Sequence, residues 1–161
     1  MIQGLTPHIN KFTAPTTTTT DFYLYIFIFV FLFFRWKEFY TIMKLVFSKT
    51  NLAKAVGIVM KAVPAKTTMN ILECILIDAT TNEIKFTAND MELGIETIVE
   101  GEIIEKGKVA IDAKIFSEIV RKLPDNEICI ETDSNYTSLI TCEKSKFNIA
   151  GKSGDDFSYL P

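Results

Sequence analysis

The stretch Gly107–Asp133, GKVAIDAKIFSEIVRKLPDNEICIETD, decides the fold because it contains a strand, a helix and a second strand in immediate succession. A short apolar run ends at Asp112, a residue type that favours the N-cap of a helix. Pro124 ends the helix, and EICIETD then alternates apolar and polar residues as a half-buried strand does. The predicted buried face of the helix consists of Phe116, Ile119, Val120 and Leu123.

Two further strands are predicted after this stretch. The segments TSLITCE and KFNIAG are rich in β-branched and aromatic residues, and short polar turns, SNY and KSK, precede them. The second half of the chain therefore has the predicted order β-α-β-β-β.

The same order of elements is predicted for the preceding residues. The strand MKLVFS leads into the helix NLAKAVGIVMKAV, with Ser48 or Thr50 as its N-cap and Pro64 as its end. Three predicted strands follow, ILECILID, IKFTAND and LGIETIVEGE. The predicted buried face of this helix consists of Leu52, Ala55, Val56, Val59, Met60 and Val63.

The order of elements in the two halves predicts an α+β domain that contains two copies of one structural unit. A single offset along the chain places Leu45 with Val109 and Phe47 with Ile111. Each β-α-β-β-β unit alone would leave one face of its helix and one face of its sheet exposed. Two units related by a pseudo-twofold axis bury these faces together, with both helices on one side of the sheet.

Residues 1–42 differ in character from this repeat. Thirteen large apolar residues, Phe22–Phe34, end at Arg35, and a helix of that length would span about 20 Å of a hydrocarbon core that is roughly 30 Å thick. We interpret residues 1–42 as a translated upstream region or a disordered, apolar leader, and residues 43–161 as the domain. The alternative is a membrane-anchored interaction domain with Phe22–Phe34 as its signal anchor.

Composition excludes several classes of function. Three of the 17 basic and two of the 20 acidic residues precede Met43, which leaves 14 and 18 and a net charge of −4. This acidity disfavours a protein that coats nucleic acid indiscriminately. His8 is the only histidine and lies in the leader, and the three cysteines have no metal-binding spacing. We therefore expect no catalytic residues, no metal and no cofactor.

Positive charge is concentrated near the start of the domain. Residues 43–72 contain five lysines and no acidic residue. Lys54 and Lys61 are seven residues apart, so they share the helix face opposite the apolar one, and Lys114 and Arg121 repeat this spacing on the second helix. One such pair is common on a solvated helix face. Two in an acidic domain predict a positive strip that suits the phosphates of a polyanion.

Five segments together resemble a known family. They are MKLVFSKTNLAKAV, KAVPAKTTMNIL, FTANDMELGIET, AKIFSEIVRKLP and KFNIAGKSGDDFSYLP, and their order and spacing are those of the first domain of the bacterial sliding clamp, the β subunit of DNA polymerase III. The resemblance covers Met43–Pro161 and no residue before Met43.

The resemblance implies a DNA-clamp fold and a non-catalytic processivity factor in the cytoplasm. Clamp subunits of three such domains form a homodimeric, head-to-tail ring that encircles double-stranded DNA without sequence preference and tethers the polymerase. The cleft for the clamp loader and DNA polymerase III lies in domains that this chain lacks, so the resemblance makes the chain an N-terminal fragment. The implied DNA-binding residues are Lys66, in the loop after the first helix, and the four hole-lining residues Lys54, Lys61, Lys114 and Arg121.

Overall fold

The structure is a computed structural model, and it describes residues 41–157. The predictions made for residues 1–40, including the signal anchor at Phe22–Phe34, lie outside these residues. Within the described part of the chain there are nine strands and two α-helices. Neither of these helices is long and apolar enough to cross a membrane.

The first half begins with a strand and a helix in direct succession. Strand β1 (Thr41–Ser48) runs into helix α1 (Lys49–Val59), which tightens into a 3-10 turn at Met60–Ala62. The strands that follow are β2 (Cys74–Asp78), β3 (Ile84–Asn89), β4 (Gly94–Val99) and β5 (Glu102–Glu105).

The second half repeats this order. Strand β6 (Lys108–Asp112) runs into helix α2 (Ala113–Lys122). The strands that follow are β7 (Glu127–Asp133), β8 (Thr137–Cys142) and β9 (Ser145–Ser153), and a 3-10 turn at Gly154–Asp156 comes after them.

Both predicted helix starts are confirmed, and both helices are capped by a side chain that accepts a hydrogen bond from the first turn. The side chain of Ser48 accepts a hydrogen bond from the backbone N–H of Asn51 at 3.3 Å, and Asp112 accepts one from Ile115 at 2.8 Å. Each cap satisfies a backbone donor that the first turn of a helix leaves without a partner. Ser48 and Asp112 correspond under the same offset that was predicted for the strands before them. We call this step from Ser48 to Asp112 the helix offset.

The strands form one antiparallel sheet in the order β4-β3-β2-β6-β9-β8-β7-β1-β5. The two halves exchange their first strands, because β1 pairs with β7 of the second half while β6 pairs with β2 of the first. Leu45 faces Ile103 and Val109 faces Ser153, so the two halves have the same register. The predicted pair of β-α-β-β-β units with pseudo-twofold symmetry is therefore confirmed.

The predicted strand LGIETIVEGE ends in the structure as β4 at Val99, and its last residue, Glu102, begins a further strand, β5, that was not predicted. Strand β4 pairs with β3 and strand β5 pairs with β1, and only Glu100 and Gly101 separate them. Their counterpart in the second half is the single strand β9, which pairs with β8 through residues 145–150 and with β6 through residues 151–153. Strands β4 and β5 therefore act as one interrupted strand.

A second constant step relates these counterparts. Val99 of β4 corresponds to Ile149 of β9, and Ile103 of β5 corresponds to Ser153 by the same distance along the chain. We call this step from Val99 to Ile149 the edge-strand offset.

The main core lies between the two helices and one face of the sheet. Phe86 of β3 lies between two other rings, with its centroid 5.9 Å from that of Phe47 on β1 and 6.3 Å from that of Phe116 on α2. All three side chains are fully buried, so they join both halves of the chain through one cluster. A smaller cluster on the other face of the sheet contains Cys74, Leu76, Ala110 and Phe157.

Candidate nucleic-acid interface

Helices α1 and α2 contact each other and form a layer on one side of the sheet. Leu52, Val56 and Val59 of α1 are buried in the same core as Phe116 and Val120 of α2. Because of the helical period, the face of each helix that lies opposite its buried face is exposed to solvent. We refer to these two exposed faces together as the helix layer face.

The five candidate DNA-binding residues are all exposed, and four of them belong to this layer. Lys54 lies on α1, Lys61 in the 3-10 turn that continues it, and Lys114 and Arg121 on α2. Lys66 lies in the loop that follows the 3-10 turn. A 3-10 turn has about 3.0 residues per turn instead of 3.6, so Lys61 is rotated somewhat from the position that a continuous α-helix would give it.

None of these five cations has an ion pair or a hydrogen bond among residues 41–157. Three lysines on the strands differ in this respect. Their ammonium groups contact carboxylates in three places: Lys44 with Glu131 at 2.7 Å, Lys85 with Glu96 at 3.1 Å, and Lys108 with Asp155 at 2.5 Å. Other lysines among the described residues, such as Lys144 and Lys146 near the start of β9, also have no carboxylate partner, so positive charge without a neighbouring carboxylate includes the helix layer face but is not confined to it.

In two of these pairs the partner shifts the pKa of one group in the expected direction. The hydrogen bond from Lys44 to Glu131 raises the pKa of the ammonium group above its ordinary value of 10.5. The hydrogen bond from Lys108 lowers the pKa of Asp155 below its ordinary value of 3.8. Each shift favours the charged form of the group, which an adjacent opposite charge stabilises. Lys44 and Asp155 are thus held in their charged forms near neutral pH.

The two helices carry their charges at different positions. Helix α1 contains no acidic residue, whereas Glu118 of α2 pairs with Lys122 at 3.5 Å. The helix offset places Glu118 at the position equivalent to Lys54. Lys114 and Arg121 are equivalent to Thr50 and Gly57, one turn away from the lysines of α1. The sequence pattern matched the two helices by spacing alone, and the helix offset shows that their cations are displaced.

The loop that carries Lys66 is the largest difference between the halves. Phe47 and Ile111 are equivalent, and the ladders pair them with Ile128 and Ile75, so these two partners are equivalent as well. Fewer residues separate Ile75 from its equivalent Ile128 than separate Ser48 from its equivalent Asp112. The connection between helix and strand is therefore longer in the first half than in the second.

This longer connection is attached to the sheet. Lys152 of β9 donates a hydrogen bond at 2.8 Å to the carbonyl oxygen of Asn70, near the end of the loop. The loop that carries Lys66 is therefore held against the second half of the domain.

The carboxylate of Asp90, in the turn between β3 and β4, has partners within its own turn. Asp90 accepts hydrogen bonds from the backbone N–H groups of Glu92 and Leu93 at 2.9 and 2.6 Å, and these bonds lower its pKa. Among residues 41–157 there is no group of three or more His, Cys, Asp or Glu side chains that could hold a metal ion. The three cysteines are free thiols, and burial raises the pKa of each.

Two comparisons of sequence identify relatives of this chain. Residues 43–161 match the family described as DNA polymerase III beta subunit, N-terminal domain. The beta sliding clamp of Bacillus subtilis is 35% identical over 127 residues, which are 74% of this chain and 34% of the relative. The beta sliding clamp of Synechocystis is 32% identical over 127 residues, 74% of this chain and 32% of that protein. The chain thus spans about a third of the length of the curated relatives it matches.

Solved structures agree with these relatives. A crystal structure described as a DNA polymerase III beta subunit from Eubacterium rectale has 70% sequence identity and a TM-score of 0.73, over 74% of this chain and 33% of that one. The DNA polymerase sliding clamp of Bacillus subtilis has 34% identity and a TM-score of 0.71, with coverage of 74% and 33%. The fold of the described residues is therefore that of a sliding-clamp domain.

Proposed function

The chain belongs to the DNA polymerase III beta subunit family through its N-terminal domain, residues 43–161, and on this premise we propose that this segment is the first domain of a DNA sliding clamp. In a complete clamp it would help to encircle double-stranded DNA without sequence preference and to keep the polymerase on its template. Its role is mechanical and non-catalytic, and its place is the cytoplasm, where DNA polymerase III works.

The observation that carries this proposal is the set of unpaired cations on the helix layer face and the loop beside it. Lys54, Lys61, Lys66, Lys114 and Arg121 are exposed, and they have no carboxylate partner within the described residues. We propose that they face the phosphates of the duplex. Lysine and arginine bind phosphate oxygens whatever the base sequence, which suits a protein that must move along DNA.

The density of these charges favours loose contact. Five phosphate contacts correspond to a salt slope of about 4.5, which gives weak binding at physiological salt. Four of the five residues are lysines, whose flexible ammonium groups hold a phosphate less directionally than the planar fork of arginine does. A surface of this kind attracts a duplex and still allows it to slide.

The edges of the sheet fit the proposed assembly into a ring. Strand β4 pairs with β3 on one side, and residues 145–150 of β9 pair with β8 on one side. Neither segment has a partner on its other side among the described residues. Such edges can pair with a strand of another domain, as a closed ring of clamp domains requires. The partners proposed for the complete protein are its own copies, the clamp loader and DNA polymerase III.

Photo-crosslinking tests which side of the domain faces DNA. A full-length clamp would carry residues 43–161 as its first domain, with a benzophenone amino acid in place of Gly57 on the exposed face of α1. A Cβ at Gly57 would have no neighbour within 4 Å, so the domain accommodates this residue. We expect crosslinks to loaded duplex DNA from position 57 and none from the same residue at Lys85 on the opposite face of the sheet. Crosslinks from position 85 alone would refute the proposal.

A further inference from the structure

The carbonyl oxygen of Asn70, near the end of the loop that carries Lys66, accepts hydrogen bonds from two directions. The ammonium group of Lys152 donates one at 2.8 Å, and the thiol of Cys74 donates another at 3.6 Å. Lys152 lies on β9, 82 residues further along the chain than Asn70. Because its donor is charged, the bond from Lys152 is the stronger of the two.

Lys152 lies on the face of the sheet opposite the helices. It is paired with Ala110 of β6, and Ala110 is paired with Leu76 of β2. Residues directly opposite each other on neighbouring strands have their side chains on the same face of the sheet. Ala110 and Leu76 belong to the smaller cluster on the face that the helices do not cover. The sheet therefore lies between the side chain of Lys152 and the helix layer face.

The loop that carries Lys66 runs from one face of the sheet to the other. It begins at Val63, which packs against the main core on the helix side. Its end is fixed on the opposite face, where Ile71 packs against the smaller cluster. Lys66 lies between these two points, so its position depends on how both ends of the loop are held.

Hydrogen bonds within the loop connect the anchored carbonyl of Asn70 to Lys66. The carbonyl oxygen of the preceding residue, Met69, accepts a hydrogen bond from the backbone N–H of Leu72 at 3.0 Å. The backbone N–H of Met69 donates to the hydroxyl oxygen of Thr67 at 3.1 Å. Thr67 directly follows Lys66 in the sequence. An ordered turn thus leads from the anchored carbonyl to the cation.

We propose that Lys152 is a positioning residue for the DNA contact of Lys66, and that it acts through its hydrogen bond to the loop without contacting DNA itself. This inference rests on the proposed function, in which Lys66 faces a phosphate. Without the bond from Lys152 the loop takes several arrangements. Only the fraction of molecules with Lys66 in place then gains its contribution to the affinity for DNA.

The test uses substitutions in the 161-residue chain. Lys152→Leu removes the donor, whereas Lys152→Arg keeps a charged donor. Lys146→Leu is the matched control, because Lys146 lies on the same strand and face, six residues or about 20 Å before Lys152. Lys66→Gln removes the proposed phosphate contact, and it is made alone and together with Lys152→Leu.

Hydrogen exchange of the backbone N–H groups of Met69 and Leu72, followed by NMR without DNA, measures how well the loop is ordered. We expect exchange to be about tenfold faster in Lys152→Leu than in the wild type. The rates in Lys152→Arg and Lys146→Leu should be those of the wild type. Equal rates in the wild type and Lys152→Leu would overturn the proposal.

The Kd for a linear duplex at one salt concentration separates positioning from direct contact. We expect Lys152→Leu to raise the Kd about threefold, and Lys152→Arg to leave it unchanged. Lys146→Leu measures the effect of losing one positive charge on that face, and this effect should be smaller. In the Lys66→Gln chain, Lys152→Leu should raise the Kd no more than Lys146→Leu does in the wild type, because no contact remains to be positioned.

Two further results of the binding measurement would count against different claims. If Lys152→Leu raises the Kd equally with and without Lys66, then Lys152 binds phosphate itself and the positioning role is refuted. If Lys66→Gln binds DNA as the wild type does, the DNA contact of Lys66 given in the proposed function is contradicted, and its positioning by Lys152 is contradicted with it.

Discussion

Gly101 and Gly151 occupy equivalent positions under the edge-strand offset, and at each of them a strand passes too close to its neighbour for a side chain. A Cβ at Gly101 would lie 2.7 Å from the carbonyl oxygen of Val46 and 2.6 Å from Cδ1 of Phe47. A Cβ at Gly151 would lie 2.9 Å from the carbonyl oxygen of Ala110, the residue equivalent to Val46. Both glycines stand where the interrupted strand β4–β5, or the long strand β9, changes from one partner strand to another.

Substitution of either glycine by alanine should destabilise the domain. We expect Gly101→Ala and Gly151→Ala each to lower the free energy of unfolding by about 1–3 kcal/mol, because the methyl group overlaps backbone that cannot move easily. The matched control is Gly57→Ala, since Gly57 lies in the interior of α1 with nothing within 4 Å of its Cβ. That variant should gain about 0.5–1 kcal/mol in urea unfolding. Equal effects at the three positions would contradict the close approach.

The two helix caps make a second prediction. Removal of the capping side chain in Asp112→Ala should lower the free energy of unfolding by about 1 kcal/mol. Ser48→Ala should have a smaller effect, since its bond to Asn51 is 3.3 Å long against 2.8 Å at Asp112. Asp112→Asn keeps an acceptor and serves as the control in the same denaturant titration. A loss in the asparagine variant as large as that in the alanine variant would show that the charge of Asp112, and not its hydrogen bond, is what stabilises α2.

The ion pair between Lys108 and Asp155 predicts a change in stability at acid pH. The folded pKa of Asp155 lies below its ordinary value of 3.8, so its contribution is present above that value and is lost as the pH falls through the folded pKa. We expect Asp155→Asn to unfold at a lower urea concentration than the wild type near pH 5, and the difference to be smaller at a pH below 3.8. A difference that is the same at both pH values would mean that the side chain stabilises the domain without its charge.

The dependence of DNA binding on salt counts the phosphates that the proposed interface contacts. We expect Lys54→Gln, Lys61→Gln and Lys66→Gln, combined in one chain, to reduce the slope of log Kobs against log salt by about 2.7, because each lost contact removes about 0.9. Binding to linear duplex is measured over a range of salt concentrations.

The control for this measurement combines the same change at Lys85, Lys106 and Lys146, which lie away from the helix layer face. Its slope should equal that of the wild type. A slope that falls equally in both triple variants would mean that the domain binds DNA through its overall charge and not through this face.

Much of the fold follows from local patterns in the sequence. The helical spacing of Leu52 and Val56, the caps at Ser48 and Asp112, and the alternation in EICIETD each depend on a few neighbouring residues, and the structure confirms them. The exchange of strands β1 and β6 between the halves was not predicted. Alternation indicates which face of a strand is buried, but it does not identify the strand that pairs with it.

The candidate site was less predictable than the fold, although part of the missing information was in the sequence. When the predicted offset between the halves is applied to the helices, Glu118 is the equivalent of Lys54. The sequence could therefore have revealed that the cations of the two helices lie at different positions. The interruption between β4 and β5 at Gly101 depends on how closely β1 passes, which no local pattern records. It stays a prediction that Lys54 and the other four candidate DNA-binding residues face DNA.

The lifetime of a loaded clamp on nicked circular DNA tests the central claim most directly. A full-length clamp with residues 43–161 as its first domain would carry Lys54→Glu, Lys61→Glu and Lys66→Glu together. At moderate salt we predict a shorter lifetime on the circle than for the wild type or for a control with Lys85, Lys106 and Lys146 reversed. Equal lifetimes for the wild type and the first variant would contradict the claim that this face of the domain holds the duplex.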